Sequence, residues 1–232
     1  MDLCGGGEPT VESQAFCATH TNLNPTDKIQ HMMDKYNINQ TTLRILGLYA
    51  GDYERRLHIR EISRETRVDV KAIQIQLKRL EENNILQSKT SGRNKEHSLN
   101  ISNTLTRYYL ILAETYTTAT YLAEHYHIKR IVDEVGDNMQ GPTILFGSYA
   151  KGEEDEQSDV DILTITDTQQ RLDTQETSNL IGKEINAKNT TRDNFVEGLD
   201  EDPLIIEAAS HHIVLRDIDQ FTQLMWRHYA RR

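Results

Sequence analysis

Cysteine is almost absent. Cys4 and Cys17 are the only two in 232 residues, and neither stands at metal-ligand or redox-motif spacing. That excludes a disulfide framework and a cysteine-based metal or redox centre. A reducing cytoplasm is the simplest setting. Hydrophobic residues are also scarce, at 37% of the chain, so any core is modest. No apolar run approaches the roughly 20 residues of a membrane span, and no membrane partner is expected. The N-terminus lacks a basic segment followed by an apolar core, so no signal peptide is expected. Residues 1–38 lack any sustained hydrophobic period. Gly5-Gly6-Gly7, scattered Thr and Asn, and Pro25 read there as a disordered tail.

Positive charge is scarce overall and unevenly placed. The chain carries a net −10, but residues 39–106 hold 12 Lys/Arg against 8 Asp/Glu, a net of +4. The remainder therefore carries −14. A basic module inside an acidic chain points to an anionic partner for that module alone.

The densest chemical signal is Gly141–Thr166, GPTILFGSYAKGEEDEQSDVDILTIT. Thr143–Phe146 is a short run of strand formers. Gly147-Ser148 breaks it and opens a helical turn, whose free N–H groups and dipole favour an anion. Asp159-Val160-Asp161 opens a second strand, and residues two apart on a strand share a face. Two carboxylates side by side suit Mg²⁺, which takes one or two of them together with substrate phosphates. Without the glycine turn in register, the same letters would describe a strand with a solvated acidic face.

FGSYAKG followed by SDVDIL resembles the signature of the DNA polymerase beta-type nucleotidyltransferase superfamily, especially its small members. The resemblance implies an α/β domain, a mixed sheet with flanking helices, over residues 140–232. It implies Mg²⁺ as cofactor and an NTP as substrate. Asp159 and Asp161 would be the metal ligands, Gly147 and Ser148 would hold the phosphates, and Lys151 would add charge. The family's third carboxylate lies on the neighbouring strand, here within KEINAKN. Asn186 fits that position best and cannot be a base. Glu184 lies two residues away on the same face, about 6.6 Å along the strand. Either Glu184 completes the catalytic set with Asp159 and Asp161, or the third group is missing.

A second resemblance covers residues 39–101. A short apolar helix (Leu43, Ile45, Leu46, Tyr49) precedes a small strand at Arg56–Ile59. A second helix runs to about Arg67. A third, capped by Asp69, places Val70, Ile73, Leu77 and Leu80 on one face. A hairpin follows, turning at Ser91–Asn94. RVDVKAIQIQLKRLEENNIL and QSKTSGRNKEHSLN resemble the recognition helix and wing of winged helix-turn-helix regulators. The resemblance implies duplex DNA as partner. Lys71, Gln74, Ile75 and Lys78 would meet bases or phosphates, and Lys89, Arg93 and Lys95 would touch phosphate from the wing. Each is singly an ordinary solvated side chain, and the module also serves elsewhere as a protein-binding unit.

Residues 102–139 read as a linker helix. Leu105, Tyr108, Tyr109, Leu112 and Tyr116 repeat at helical spacing, as a core face or the seam of a homodimer. His125, His127, His211 and His212 stand in no metal-type cluster. Beyond the second strand a polar helix is expected over Thr168–Asn179 and a strand over Gly182–Asn189. Helices follow over Arg192–Leu199 and Asp202–Ser210, then a strand over His212–Arg216. The last helix, Asp219–Arg232, would have its dipole complemented by Arg231-Arg232.

Two functions follow from the resemblances. One is an enzyme moving a nucleoside monophosphate from Mg-NTP to an acceptor hydroxyl, with a protein acceptor possible by likeness to antitoxins that nucleotidylate a partner. The other is a DNA-binding regulator whose nucleotidyltransferase domain only binds nucleotide or a partner.

Overall fold

The computed structural model describes residues 38–92, 94–168 and 172–232. The expected tail, Cys4, Cys17 and Arg93 lie outside the described residues. The first half runs α1 (Gln40–Gly47), β1 (Leu57–His58), α2 (Ile59–Thr66), α3 (Val70–Glu82), β2 (Leu86–Ser91) and β3 (Asn94–Leu99). The three strands form an antiparallel sheet in the order β1-β3-β2.

Local chemistry sets these boundaries. Asn39 caps α1 by accepting from the Thr42 N–H at 3.0 Å, and Asp69 caps α3 by accepting from the Lys71 N–H at 2.8 Å. Each cap satisfies an orphan donor of a first turn. Ile73, Leu77 and Leu80 of α3 are buried together with Ile45, Leu46, Ile62 and Leu86. Full burial of each such side chain contributes about 1.5–3 kcal/mol. Val70 departs from the expected core face and is 40% exposed; it is the first residue of the helix.

The expected single helix over 102–139 is broken. It divides into α4 (Thr104–Glu124), α5 (Tyr126–Val135) and a 3-10 turn at Gly136–Asn138. The break falls at His125, whose backbone (φ −114, ψ 81) is not helical. Its ring stacks on Tyr121 with centroids 3.8 Å apart, and Nδ1 lies 2.9 Å from the Tyr121 carbonyl. The aromatic-aliphatic stripe also splits. Tyr109, Leu110 and Ala113 are buried, while Leu105, Tyr108 and Leu112 stand exposed.

The second half continues with β4 (Thr143–Phe146), α6 (Gly147–Lys151), β5 (Val160–Ile165), α7 (Gln175–Ile181), β6 (Ile185–Thr190), α8 (Arg192–Glu201), α9 (Pro203–Ser210), β7 (Ile213–Arg216) and α10 (Ile218–Tyr229). Of the expected Thr168–Asn179 helix, residues 169–171 lie outside the described residues and the observed helix is Gln175–Ile181, while the strand expected from Gly182 starts three residues later. Gly182 is the left-handed C-cap of α7 (φ +67), a conformation that a strand cannot use. The last helix ends at Tyr229, so Arg231 and Arg232 lie beyond it. Arg232 instead pairs with Glu54 and Asp200.

The four strands form one mixed sheet in the order β6-β5-β4-β7. β5 and β6 are parallel, and the two pairings of β4 are antiparallel. One face carries Ile144, Phe146, Leu163, Ile165 and Val214. It packs with Phe195, Ile205, Ala208 and Phe221 of α8–α10. The other carries Leu145, Val160, Ile162, Ile185 and Ile213, covered by Ile128, Ile131 and Val135 of α5. The first of these clusters also includes the buried residues of α1–α3, so residues 38–232 pack as one unit. Gly51 sits at that junction, where a Cβ would overlap the Ser210 carbonyl oxygen. No described helix is long and apolar enough to cross a membrane.

Candidate functional site

The turn after β4 meets the start of β5 because the antiparallel register pairs Phe146 with Asp161. Gly147 follows directly, with φ +73. A Cβ there would lie 2.6 Å from Asp161 Oδ2, closer than any real contact allows. Glycine at 147 is therefore required by the carboxylate beside it as well as by the positive φ. α6 then carries Ser148 and Lys151 outward, ending at Gly152 in the left-handed region (φ +69).

Asp159 and Asp161 leave the sheet on one face, as strand alternation dictates. Asp159 is exposed and Asp161 half-buried. Burial pushes the Asp161 carboxyl above its ordinary range. The Asn186 amide and Lys188 oppose that, and the charges of Asp159 and Glu207 add to it. A carboxylate so placed gains from a cation between it and its neighbour. The pair thus fits one Mg²⁺, which needs only one or two protein carboxylates when phosphates supply the rest. Among the described residues no group of three or more His, Cys, Asp or Glu is arranged to hold a metal by itself.

The parallel register pairs Asp161 with Asn186. Asn186 Nδ2 donates to Asp159 Oδ2 at 3.4 Å, so its amide spans the two aspartates. Glu184 lies before β6 and is exposed. Its carbonyl accepts from the Val160 N–H at 2.8 Å, and since Val160 pairs with Ile185, Glu184 stands one residue further back, toward Asp159. The side chain that bonds to the aspartate pair is that of Asn186.

Two further side chains reach this edge. Lys151 Nζ lies 2.6 Å from Glu207 Oε1 on α9, so the expected phosphate-binding lysine already has an anionic partner. That bond raises Lys151 and lowers Glu207 from their ordinary ranges. Lys188, two residues past Asn186, holds Nζ 5.9 Å from the Phe146 ring centre. Glu207 was not legible in the sequence, since 56 residues separate it from Lys151. Lys188 had one signal, its place on the Asn186 face.

Residues 128–215 match the family of the nucleotidyltransferase domain. The chain carries a nucleotidyltransferase domain. The match spans α5 through β7 and so contains the glycine turn, both aspartates and Asn186. No curated protein matches the chain. A solved structure, the YusO protein from Bacillus subtilis, is similar at 16% identity over 56% of this chain and 99% of that one. Its TM-score of 0.32 is too low to bear on the fold.

The basic residues of the first half form a separate surface. Lys71, Gln74, Ile75, Lys78 and Lys95 line one cleft of about 600 Å³ with Glu81 and His97. Lys89, exposed on β2, is not among the residues lining it. Ile75 is 53% exposed. Part of the charge is compensated: Lys78 lies 3.8 Å from Glu82 and Lys95 2.8 Å from Glu81.

Proposed function

We propose that the nucleotidyltransferase domain binds Mg-NTP through Asp159, Asp161 and the Gly147-Ser148 turn, and transfers the nucleoside monophosphate to an acceptor hydroxyl only slowly. Asn186 beside the aspartate pair supports this reading best, because an amide cannot take the acceptor's proton. General-base help contributes about 10²–10⁴-fold, and that factor is what the domain forgoes. Mg²⁺ would supply Lewis-acid polarisation of the phosphates. Lys151 joins the phosphates by exchanging its Glu207 partner for them. Under this reading Glu184 is not the third catalytic group.

Asn186→Asp tests it. Pyrophosphate release from labelled Mg-NTP should rise about a hundredfold, with nucleotide affinity by calorimetry little changed. Glu184→Gln should leave both readouts as they are. Loss of activity in Glu184→Gln, with no gain in Asn186→Asp, would restore Glu184 to the catalytic set.

We further propose that residues 39–101 are a winged helix that binds duplex DNA, residues 102–139 the connecting segment and residues 140–232 the transferase unit. The α2–α3 pair, the β1-β3-β2 sheet and Ile75 among Lys71, Gln74 and Lys78 support DNA as partner, with Lys89 and Lys95 on the hairpin and Arg93 assigned to the same contact from the sequence alone. In the full chain, charge reversal at Lys71 and Lys78 should weaken duplex binding about tenfold or more, and wild-type affinity should fall steeply with salt. Salt-independent binding, or none at low salt, points to a protein partner instead. The exposed Leu105 and Leu112 of α4 favour a homodimer through that helix. A protein acceptor for the nucleotide belongs to the same reading.

A further inference from the structure

A second cleft, of about 340 Å³, opens between α4, α8 and α10. It shares no residue with the glycine turn, the aspartate pair or Asn186. Three arginines line it, Arg107, Arg192 and Arg227, against a single carboxylate, Asp219. This concentration of positive charge stands in a chain of net −10.

Two glutamines of α10 hold the guanidinium groups in place. Arg107 Nη1 donates to Gln223 Oε1, and Arg192 Nη2 donates to Gln220 Oε1 at 3.1 Å. Gln220, Gln223 and Arg227 recur at i, i+3 and i+7, so one face of α10 presents all three. A glutamine orients a guanidinium without cancelling its charge. Arg192 has a carboxylate as well, Asp167, at 2.6 Å. Among the described residues no carboxylate forms an ion pair with Arg107 or Arg227.

Arg107 is half-buried, and its Nε is buried without a hydrogen-bond partner. A desolvated guanidinium with an unused donor is costly unless an anion completes it. The like charges gathered here add to that cost. A phosphoryl group suits such donors, because the planar fork of arginine matches its oxygens bidentately. Beside these polar groups the cleft has an apolar part. Ile111 and Leu224 line it, and the Tyr108 ring, 51% exposed, carries the Arg107 guanidinium 5.2 Å from its centre and so joins a flat surface to the charge.

We propose that this cleft binds a small organic phosphate, its phosphoryl group on Arg107, Arg192 and Arg227 and its apolar body against Tyr108. The inference is independent of the transfer reaction, since no group of that site takes part.

Calorimetry on the full chain carrying Asp159→Ala and Asp161→Ala, in chelator, silences the metal-dependent site. AMP and inorganic phosphate are titrated separately. AMP should bind, and Arg107→Gln and Arg227→Ala should each weaken it about tenfold. Tyr108→Ala should weaken AMP but leave inorganic phosphate unchanged. Equal binding of both ligands, insensitive to Tyr108→Ala, would support the phosphate site and assign it to the free ion. Binding unchanged in both arginine variants, or no binding of either ligand, overturns the proposal. Arg227 is exposed and unpaired by any described carboxylate, so its removal leaves folding intact, which an unchanged melting temperature verifies.

Discussion

Two acid–base pairs of similar length sit in opposite surroundings. Lys151 and Glu207 meet at 2.6 Å on the surface, with side chains 28% and 47% exposed. His212 and Glu114 meet at 3.0 Å in the interior, 2% and 3% exposed. Distance alone would rank them alike. Solvent separates them: an exposed pair is screened and contributes little, whereas breaking a buried one strands a polar group without water. The surface pair joins the helix that follows the glycine turn to α9, at the edge of the candidate site. The buried pair joins α4 to the start of β7, where nothing has to move. The domain places its exposed pair at the candidate site and its buried pair in the scaffold.

The sharpest way to break that contrast is Glu114→Ala. His212 Nδ1 lies 2.7 Å from the Ala209 carbonyl and Nε2 faces Glu114. Both ring nitrogens therefore face acceptors, which suits the imidazolium. Removing the carboxylate leaves Nε2 buried without a partner, at a cost of about 3–5 kcal/mol in denaturant unfolding. A cost no larger than that of a surface substitution would make the two pairs equivalent and dissolve the comparison. Glu114→Gln keeps a hydrogen-bond partner and should cost clearly less.

The same pair predicts a pH dependence of definite sign. Burial opposes the His212 charge, but the Glu114 carboxylate and the Ala209 carbonyl outweigh it and hold His212 above its ordinary range. A pKa raised on folding means the native state binds the proton more tightly than the unfolded chain. The pair's contribution is then complete below about pH 6.5, the ordinary histidine value, and is lost as pH rises through the folded pKa. Arg55, Asp52, Glu65 and His211 line the same cavity, so the reference is Glu114→Gln. Stability of wild type should fall relative to that variant on going from pH 6 to above pH 8. A constant difference across the range would mean that the pair carries no charge.

How far the sequence could be read follows the same division between local and distant contacts. Gly147, Asp159 and Asp161 were legible because turn and strand chemistry fix them within fifteen residues. Even there the reason for Gly147 was only half visible, since its clash is with Asp161 Oδ2 and not only with a phosphate. The cap at Asp69 was legible for the same local reason. Asn186 against Glu184 was not decided, because two residues on one strand face differ only in register, and register is set by pairing with β5. The break at His125 was missed, since its cause is a ring stacked on Tyr121 and a contact with Glu154 at 3.7 Å, neither of which leaves a mark on hydrophobic period. The Glu114–His212 and Lys151–Glu207 pairs join residues 98 and 56 positions apart. No pattern within a helix or strand announces such pairs, and only the packing of α4 and α9 around the sheet brings them together.

The smallest expected effect belongs to the surface pair, and it sharpens the comparison from the other side. Glu207→Gln leaves Lys151 without its carboxylate. If the ion pair were structural, stability would drop as it does for Glu114→Ala. If it is exchangeable, the melting temperature should stay within experimental error, because solvent already screens the charges. What should change is binding. Lys151 no longer has to leave an anion to reach the phosphates, and Asp161 loses a neighbouring negative charge that lifts its pKa. Both effects favour Mg-NTP, so affinity should rise by no more than about fivefold, with the gain shrinking at high salt as the charges are screened. Lys151→Gln separates the contributions: it should lower affinity in wild type and abolish most of the gain from Glu207→Gln. Weaker nucleotide binding in Glu207→Gln would instead make Glu207 a partner of the metal or nucleotide, and the surface pair would then be part of the site itself.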